Sequence, residues 1–122
     1  MYDPARIWYL LGRIEEAIIL IQANTSHINH VNDFLSSSEG VFTMSGVCMQ
    51  LIFIGESVKV IDSKTQHQYL PQYPNIPWTN IMGLRDIIAH EYQHIDAEEI
   101  FNVVKKDLPI LLETIRFMKT DL

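Results

Sequence analysis

Apolar residues recur every three or four positions along much of this chain, the spacing that gathers side chains on one face of an α-helix. The first such stretch follows Asp3 and Pro4, an N-cap and first-turn pair, and predicts a helix that runs to about Asn24. The most regular stretch predicts a second helix over residues 41–62. Its stripe consists of Met44, Val47, Leu51, Ile54, Val58 and Ile61.

A proline-rich connection precedes the next amphipathic segment. Three prolines between residues 63 and 77 exclude a long helix there. Pro77 and Trp78 then open a helix whose inward face carries three aliphatic residues, with Arg85 and Asp86 on the other side. The inward-facing residues are Ile81, Leu84 and Ile88.

The last helix is predicted to start at Asp96, with Glu99 in a capping-box-like position, and to kink at Pro109. Its stripe consists of Ile100, Val104, Leu108, Leu111, Ile115 and Met118. A short helix is expected at residues 31–35, and no alternating run predicts a strand. The pattern therefore predicts an all-α, up-and-down bundle of about five helices, forming a single domain over residues 1–122.

Gly55 and Glu56 interrupt the far side of the second helix. Glycine in a helix interior costs roughly 1 kcal/mol relative to alanine. This position therefore predicts either close packing of another element or the approach of a functional site.

Composition narrows the classes of function. The 122 residues are 48% hydrophobic and 20% charged, typical of a globular protein, and the longest apolar runs fall short of a membrane span. We therefore expect a cytoplasmic protein with no membrane partner, in which the single Cys48 is a buried, inert thiol. The net charge of -6 disfavours broad attraction to nucleic acid, so any contact with RNA requires a few side chains in a cleft or two chains together.

Two overlapping motifs share one histidine in the segment from Arg85 to His94. The first is Arg-x-x-x-x-His-x-Tyr, carried by Arg85, His90 and Tyr92. The second is His-Glu-x-x-His, carried by His90, Glu91 and His94, which on a helix is a zinc-protease signature. Each motif fixes only three residue types. The sequence around them must therefore decide which of the two motifs applies.

The first motif has the groups that metal-free cleavage of RNA requires. Asp86 and His90 are four residues apart, so a hydrogen bond between them would orient the imidazole as an acid or base. Arg85 offers a planar fork of donors suited to a phosphate. The plain alternative is a surface pair of Arg85 and Asp86 beside a partly exposed histidine.

Helix geometry decides where this motif can work. On a continuous helix Arg85 and Tyr92 are nearly in line, but His90 points about 140° from Arg85. Because Asp96 caps the next helix, the motif helix must end near residues 89–93. Its unwound end could then bring His90 and Tyr92 back toward Arg85 or toward a second subunit.

The zinc alternative ranks second. His90 and His94 have the correct spacing, and Glu91 would activate a metal-bound water. The longer metzincin motif, however, needs Gly and His where this chain has Ala97 and Ile100. No strand is predicted that would align a peptide substrate.

Taken whole, the chain resembles the HEPN superfamily and, within it, the HepT-like toxins. The features that carry the resemblance occur in order along the chain. They are the amphipathic first helix, Leu51-Ile52-Phe53-Ile54-Gly55-Glu56, Ile76-Pro77-Trp78, Arg85-x-x-x-x-His90-x-Tyr92 and Lys105-Lys106-Asp107-Leu108-Pro109.

The resemblance implies the toxin of a type VII-like toxin-antitoxin module, a metal-independent endoribonuclease without a cofactor. It implies Arg85 and His90 as catalytic residues, Asp86 as a supporting residue, and a composite site in a homodimer cleft. It further implies a minimal nucleotidyltransferase antitoxin that transfers AMP to Tyr92. A HEPN domain that only binds nucleotide or a partner is the non-catalytic alternative.

Apolar residues beside the stripes also favour a homodimer. Trp8, Tyr9 and Trp78 lie next to inward-facing positions, and the motif needs a second copy to form a cleft. These aromatic side chains are therefore predicted to provide surface for a partner chain.

Overall fold

The computed structural model describes residues 2–89 and 96–122, together with the backbone of His90. Within these ranges the chain is helical, without a strand, which confirms the all-α prediction. The helices are α1 Pro4–Asn24, α2 Ser38–Lys64, α3 Trp78–Met82, α4 Leu84–His90, α5 Ala97–Asn102 and α6 Leu108–Asp121. Short 3-10 helices occur at Val31–Phe34 and Leu70–Gln72, and a π-helical segment, Val103–Asp107, joins α5 to α6.

Helix α1 begins and ends where the sequence predicts. The Asp3 carboxylate accepts a hydrogen bond from the backbone N–H of Ala5 (3.0 Å), and Pro4 occupies the first turn. The inward residues of α1 are buried against α2 and α6. They are Ile7, Leu11, Ile14, Ala17, Ile18 and Ile21.

Helix α2 is the central element and is longer than predicted. The sequence predicts that this helix starts at residue 41, but the Ser37 hydroxyl accepts a hydrogen bond from the N–H of Gly40 (3.0 Å). Ser37 is therefore an N-cap, and the helix starts at Ser38. The predicted stripe is confirmed, since all of its members are buried except Met44, which is half-buried.

The single helix predicted after Pro77 is two helices. The N–H of Gly83 bonds to the carbonyl of Thr79 (3.1 Å), and Gly83 separates α3 from α4. Trp78 is a core residue rather than partner surface, because it is 7% exposed and its indole N–H donates to the Tyr73 carbonyl (2.9 Å). The prediction for Trp78 is therefore wrong. Trp8 and Tyr9 are each 50% exposed, as surface residues would be.

The last predicted helix is α5, the π-helical segment and α6. The Asp96 carboxylate caps α5 by accepting hydrogen bonds from the N–H groups of Glu98 and Glu99 (3.0 and 3.4 Å). The apolar stripe predicted for this last helix is buried. The π-helical segment ends two residues before Pro109, and the N–H of Leu108 donates a hydrogen bond to the Val103 carbonyl. Proline lacks an N–H and crowds the preceding turn, so a widened turn at this point has a local cause.

By length and composition alone, α2 could cross a membrane. In the fold its inward face is instead the centre of the core, in contact with α1, α3 and α4. The core helix of a bundle meets the same compositional test. Its high hydropathy has a second source, because apolar residues also lie on its outward face.

A charge cluster joins α1 to α6. The Glu15 carboxylate accepts from Nε of Arg116 (2.9 Å) and Nζ of Lys119 (2.8 Å), and these bonds lower the pKa of Glu15 below its ordinary 4.5. The stabilisation is therefore present above pH 4.5 and is lost as the pH falls through the lowered pKa.

Glu15→Gln is expected to reduce the free energy of unfolding at pH 7 by about 1 to 2 kcal/mol, with a smaller reduction in acid. Urea denaturation at pH 7 and in acid measures both values. Glu16→Gln is the matched control, because the Glu16 side chain is 75% exposed and lies 3.9 Å from Arg13. Equal losses in the two variants would contradict a stabilising cluster.

Candidate active site

Arg85 lies on the outer side of α4, where α4 crosses α2. Its Nε is 3.6 Å from Oε1 of Glu56, and Nζ of Lys59 is 4.0 Å from the same oxygen. The Arg85 side chain is 59% exposed, so most of its donors face solvent. The guanidinium is therefore held loosely at one edge and is accessible to an anion.

Gly55 determines how closely α3 and α4 approach α2. A Cβ atom at this position would lie 2.7 Å from the carbonyl oxygen of Ile81, a contact that real side chains do not make. The predicted close packing at Gly55 is therefore confirmed. Because Glu56 is the next residue, the same approach places its carboxylate beside Arg85.

Sequence reasoning missed Glu56 as the partner of Arg85. The two residues are far apart in the chain, and helical periodicity reports only neighbours on one helix. The interruption of α2 at Gly55 was the only local signal that another element reaches this point.

Asp86 faces a different part of the molecule from Arg85. It borders a groove of about 570 Å³ between α3–α4 and the last helix, where Glu99 and Asp107 also lie. The other lining residues are mostly apolar, among them Ile76, Ile81, Leu84, Ile87, Val103 and Leu111. Three carboxylates around an apolar floor make this groove less favourable for a polyanion than the Arg85 side of α4.

Much of the motif lies outside the described residues. The predicted hydrogen bond between Asp86 and His90 depends on the His90 side chain, and Tyr92 belongs to the segment 91–95. The predicted return of His90 and Tyr92 toward Arg85 also depends on side chains outside the described residues. Backbone α-helix is described through His90.

The zinc motif also falls largely on this segment, since it consists of His90, Glu91 and His94. Among residues 2–89 and 96–122, no three His, Cys, Asp or Glu side chains lie together as a metal site requires. Cys48 is buried, as predicted, and burial raises the pKa of its thiol above 9.0. A thiol that stays protonated at neutral pH is a poor nucleophile and a poor metal ligand.

Gly55→Ala is expected to destabilise the protein by about 1 to 3 kcal/mol, because the added methyl group forces α3 away from α2. Gly12→Ala is the matched control, since its Cβ would meet only Nζ of Lys119, at 3.7 Å. We expect that control to gain up to about 1 kcal/mol from helix propensity. Thermal denaturation of both variants measures the difference, and a neutral Gly55→Ala would contradict the close contact.

Comparison with known proteins adds independent evidence. The family profile described as "Ribonuclease HepT-like" matches residues 14–118. A Thermococcus cleftensis protein named "Probable ribonuclease HepT" is 36% identical over 103 residues, which are 83% of this chain and 84% of that protein. No solved structure shows a significant match.

Two relatives from Methanocaldococcus jannaschii match over a smaller share of their length. One, named a gamma-glutamylcyclotransferase and "putative RNase", is 32% identical over 86% of this chain and 44% of its own length. The other, named "Putative RNase", is 35% identical over 52% of this chain and 54% of its own length. The chain thus spans about half the length of these two relatives. The family match nevertheless covers most of the bundle, and the chain belongs to the HepT-like ribonuclease family.

Proposed function

We propose that this chain is a metal-independent endoribonuclease and the toxin of a type VII-like toxin-antitoxin module, acting in the cytoplasm as a single domain. The observation that carries the proposal is Arg85, a family-motif arginine that is 59% exposed and only loosely tethered at the α2–α4 crossing. The family of the chain supports the reaction class.

Arg85 would bind the phosphate that is cleaved. Its contact with Glu56 is long and joins two half-exposed groups, so it contributes at most about 1 kcal/mol. A phosphate can accept two hydrogen bonds from the guanidinium and displaces such a weak partner. Glu56 therefore holds Arg85 ready in the free protein and releases it when RNA binds.

His90 would move the protons. As a base it takes the proton of the 2'-hydroxyl, whose oxygen attacks the adjacent phosphorus while the bond from phosphorus to the 5'-oxygen breaks. The imidazolium then gives this proton, directly or through water, to the 5'-oxygen that leaves, and a cyclic phosphate remains. Arg85 offsets the charge that builds on the phosphorane-like transition state. Asp86, four residues before His90, supports it by fixing the imidazole tautomer.

Two copies of the chain would form the cleft. The net charge of -6 provides little attraction for RNA, and a homodimer brings two Arg85 side chains to one substrate. Tyr92 would be the regulatory residue, to which a minimal nucleotidyltransferase antitoxin transfers AMP.

The proposal is tested by incubating the purified chain with single-stranded RNA in excess EDTA. We expect cleavage to continue and the products to end in a cyclic phosphate, because neither Arg nor His chemistry requires a metal ion. Stoichiometric bound zinc, loss of activity with chelator and equal sensitivity to His94→Ala would overturn it in favour of the zinc alternative. RNA or nucleotide binding without cleavage would overturn it in favour of a binding module.

A further inference from the structure

Helix α2 carries a second regular stripe, on the face that points away from the core. Its positions are spaced alternately by four and three residues, the heptad spacing of a helix that packs against another helix. Phe42 is 80% exposed and Met49 is 63% exposed, unusually open for side chains of this size. We call this stripe the outer seam; it consists of Phe42, Gly46, Met49, Phe53, Glu56 and Val60.

We propose that the outer seam is the contact with a second copy of this chain, in which the two α2 helices pack antiparallel about a two-fold axis opposite Leu51. This deepens the proposed function and rests on it, because it names the surface that builds the composite site. The inward stripe, which includes Leu51, is buried within one chain, so the outer seam is the apolar stripe that α2 itself can offer to a partner.

The seam is complementary to itself in this orientation. Residues equally distant from Leu51 face each other across the two-fold axis, so Phe42 meets Val60 of the partner copy and Met49 meets Phe53 of the partner copy. Gly46 meets Glu56, the only charged residue of the seam. Apart from neighbouring parts of its own helix, no atom of the described residues lies within 4 Å of where a Cβ of Gly46 would stand, so the glycine leaves room for the Glu56 side chain of the partner copy.

The opposite orientation is unfavourable. In a parallel pair each residue would face its own copy, so the two Glu56 carboxylates would lie together in one layer and repel each other. The two Gly46 residues would also face each other and leave a void. Charge and volume therefore both favour the antiparallel pair.

The antiparallel orientation also places the motifs correctly. Its two-fold axis is perpendicular to both helices, so α4, which packs on one flank of α2, lies on the same side of the dimer in both copies. The two Glu56–Arg85 pairs are then about 15 Å apart along α2. A parallel pair would put them on opposite sides, where they could not share one RNA strand.

Cross-linking of cysteine variants tests the orientation in a Cys48→Ala background. Phe42→Cys combined with Val60→Cys is expected to give a covalent dimer with a short bismaleimide, as is a mixture of the two single variants. Each single variant alone should stay uncross-linked, because its two copies are about 27 Å apart. Cross-linking of the single variants and not of the mixture would overturn the antiparallel arrangement.

Met49→Glu tests whether the outer seam is the interface at all. Burying two carboxylates without partners should raise the dimer dissociation constant about 100-fold or more, measured by sedimentation equilibrium. Ile19→Glu is the matched control, since Ile19 is 43% exposed on α1 and outside the seam. Both variants should keep the helical circular dichroism of the parent.

These readouts do not depend on RNA cleavage. A dimer that cross-links as expected but cleaves no RNA would support the seam and overturn the proposed function. A dimer unaffected by Met49→Glu, or a parent chain that is monomeric at micromolar concentration, would overturn the seam.

Discussion

Arg85→Ala and His90→Ala are each expected to lower RNA cleavage by about two or more orders of magnitude, the usual scale for losing a charge stabiliser or a general acid–base group. For Arg85 the loss should come from the chemical step rather than from folding. Its side chain is 59% exposed and, among the described residues, its ion pair is the long contact with Glu56, so we expect its removal to change stability little. Single-turnover cleavage with saturating enzyme measures this step directly.

Lys59→Ala is the matched control for Arg85. Lys59 approaches the same Glu56 oxygen, at 4.0 Å, and is also half-exposed. It shares the charge and the neighbourhood of Arg85 but lacks its planar donor fork, so we expect a loss of less than about tenfold. Equal losses at residues 59 and 85 would mean that only local positive charge matters, and an active Arg85→Ala would contradict its catalytic role.

Glu56→Gln tests whether Glu56 only positions Arg85 in the free protein or also takes part in binding RNA. If Glu56 only holds Arg85 in the free protein, neutralising it leaves cleavage intact and strengthens RNA binding, because a nearby negative charge is removed. RNA affinity measured at two salt concentrations shows whether the gain is electrostatic.

Local patterns in the sequence predict most of the bundle. The stripes predicted for α2 and the last helix are buried apart from the half-buried Met44, because the 3.6-residue period depends only on neighbours along one helix. The errors lie where local signals compete. Ser37 can favour a turn or cap a helix, and Gly83 interrupts a segment whose apolar spacing continues across it.

The candidate site was predictable only in part. Its residue types follow from the motif, but the contact between Arg85 and Glu56 depends on two helices meeting at Gly55. The sequence periodicity of α2 did not indicate the outer seam, for a related reason. Helix α2 is apolar on two opposite faces, and the more regular inward stripe accounts for its periodicity without the second.

The groove beside Asp86 bears on the side from which the proposed RNA substrate would approach. Asp86, Glu99 and Asp107 line it, so a nucleic acid strand entering there would meet three carboxylates. The α2 side offers Arg85 and Lys59 around one Glu56 carboxylate. A substrate path along the flank of the proposed dimer where α4 packs on α2 therefore agrees with both the charge distribution and the proposed two-fold axis.

Co-expression with a minimal nucleotidyltransferase encoded by a neighbouring reading frame is expected to add one or more AMP units to Tyr92. Tyr92 follows the proposed catalytic His90 by two residues, so a nucleotide attached there lies close to the site. The new phosphodiester can accept hydrogen bonds from Arg85, and the nucleoside can block RNA entry. Modification should therefore abolish cleavage while the helical content is unchanged.

The accessibility of the other tyrosines shows which of them could compete with Tyr92 for AMP. Tyr69 is buried, and burial raises the pKa of its phenol, while Tyr73 donates a hydrogen bond to Asp121 (2.8 Å) and is 9% exposed. Neither hydroxyl is open to another enzyme. Tyr9, half-exposed on α1, is the accessible competitor, so Tyr9→Phe is the control that should keep the adduct.

Tyr92→Phe should keep the fold and lose the adduct, and the chain should then keep its cleavage activity in the presence of the nucleotidyltransferase. Intact-mass analysis followed by peptide mapping gives the number and the position of AMP units. An adduct on Tyr2 or Tyr9 in the parent protein, or none at all after co-expression, would contradict the regulatory role of Tyr92. Cleavage by the unmodified Tyr92→Phe variant shows separately whether the hydroxyl helps to position RNA, because that loss would appear without any nucleotidyltransferase.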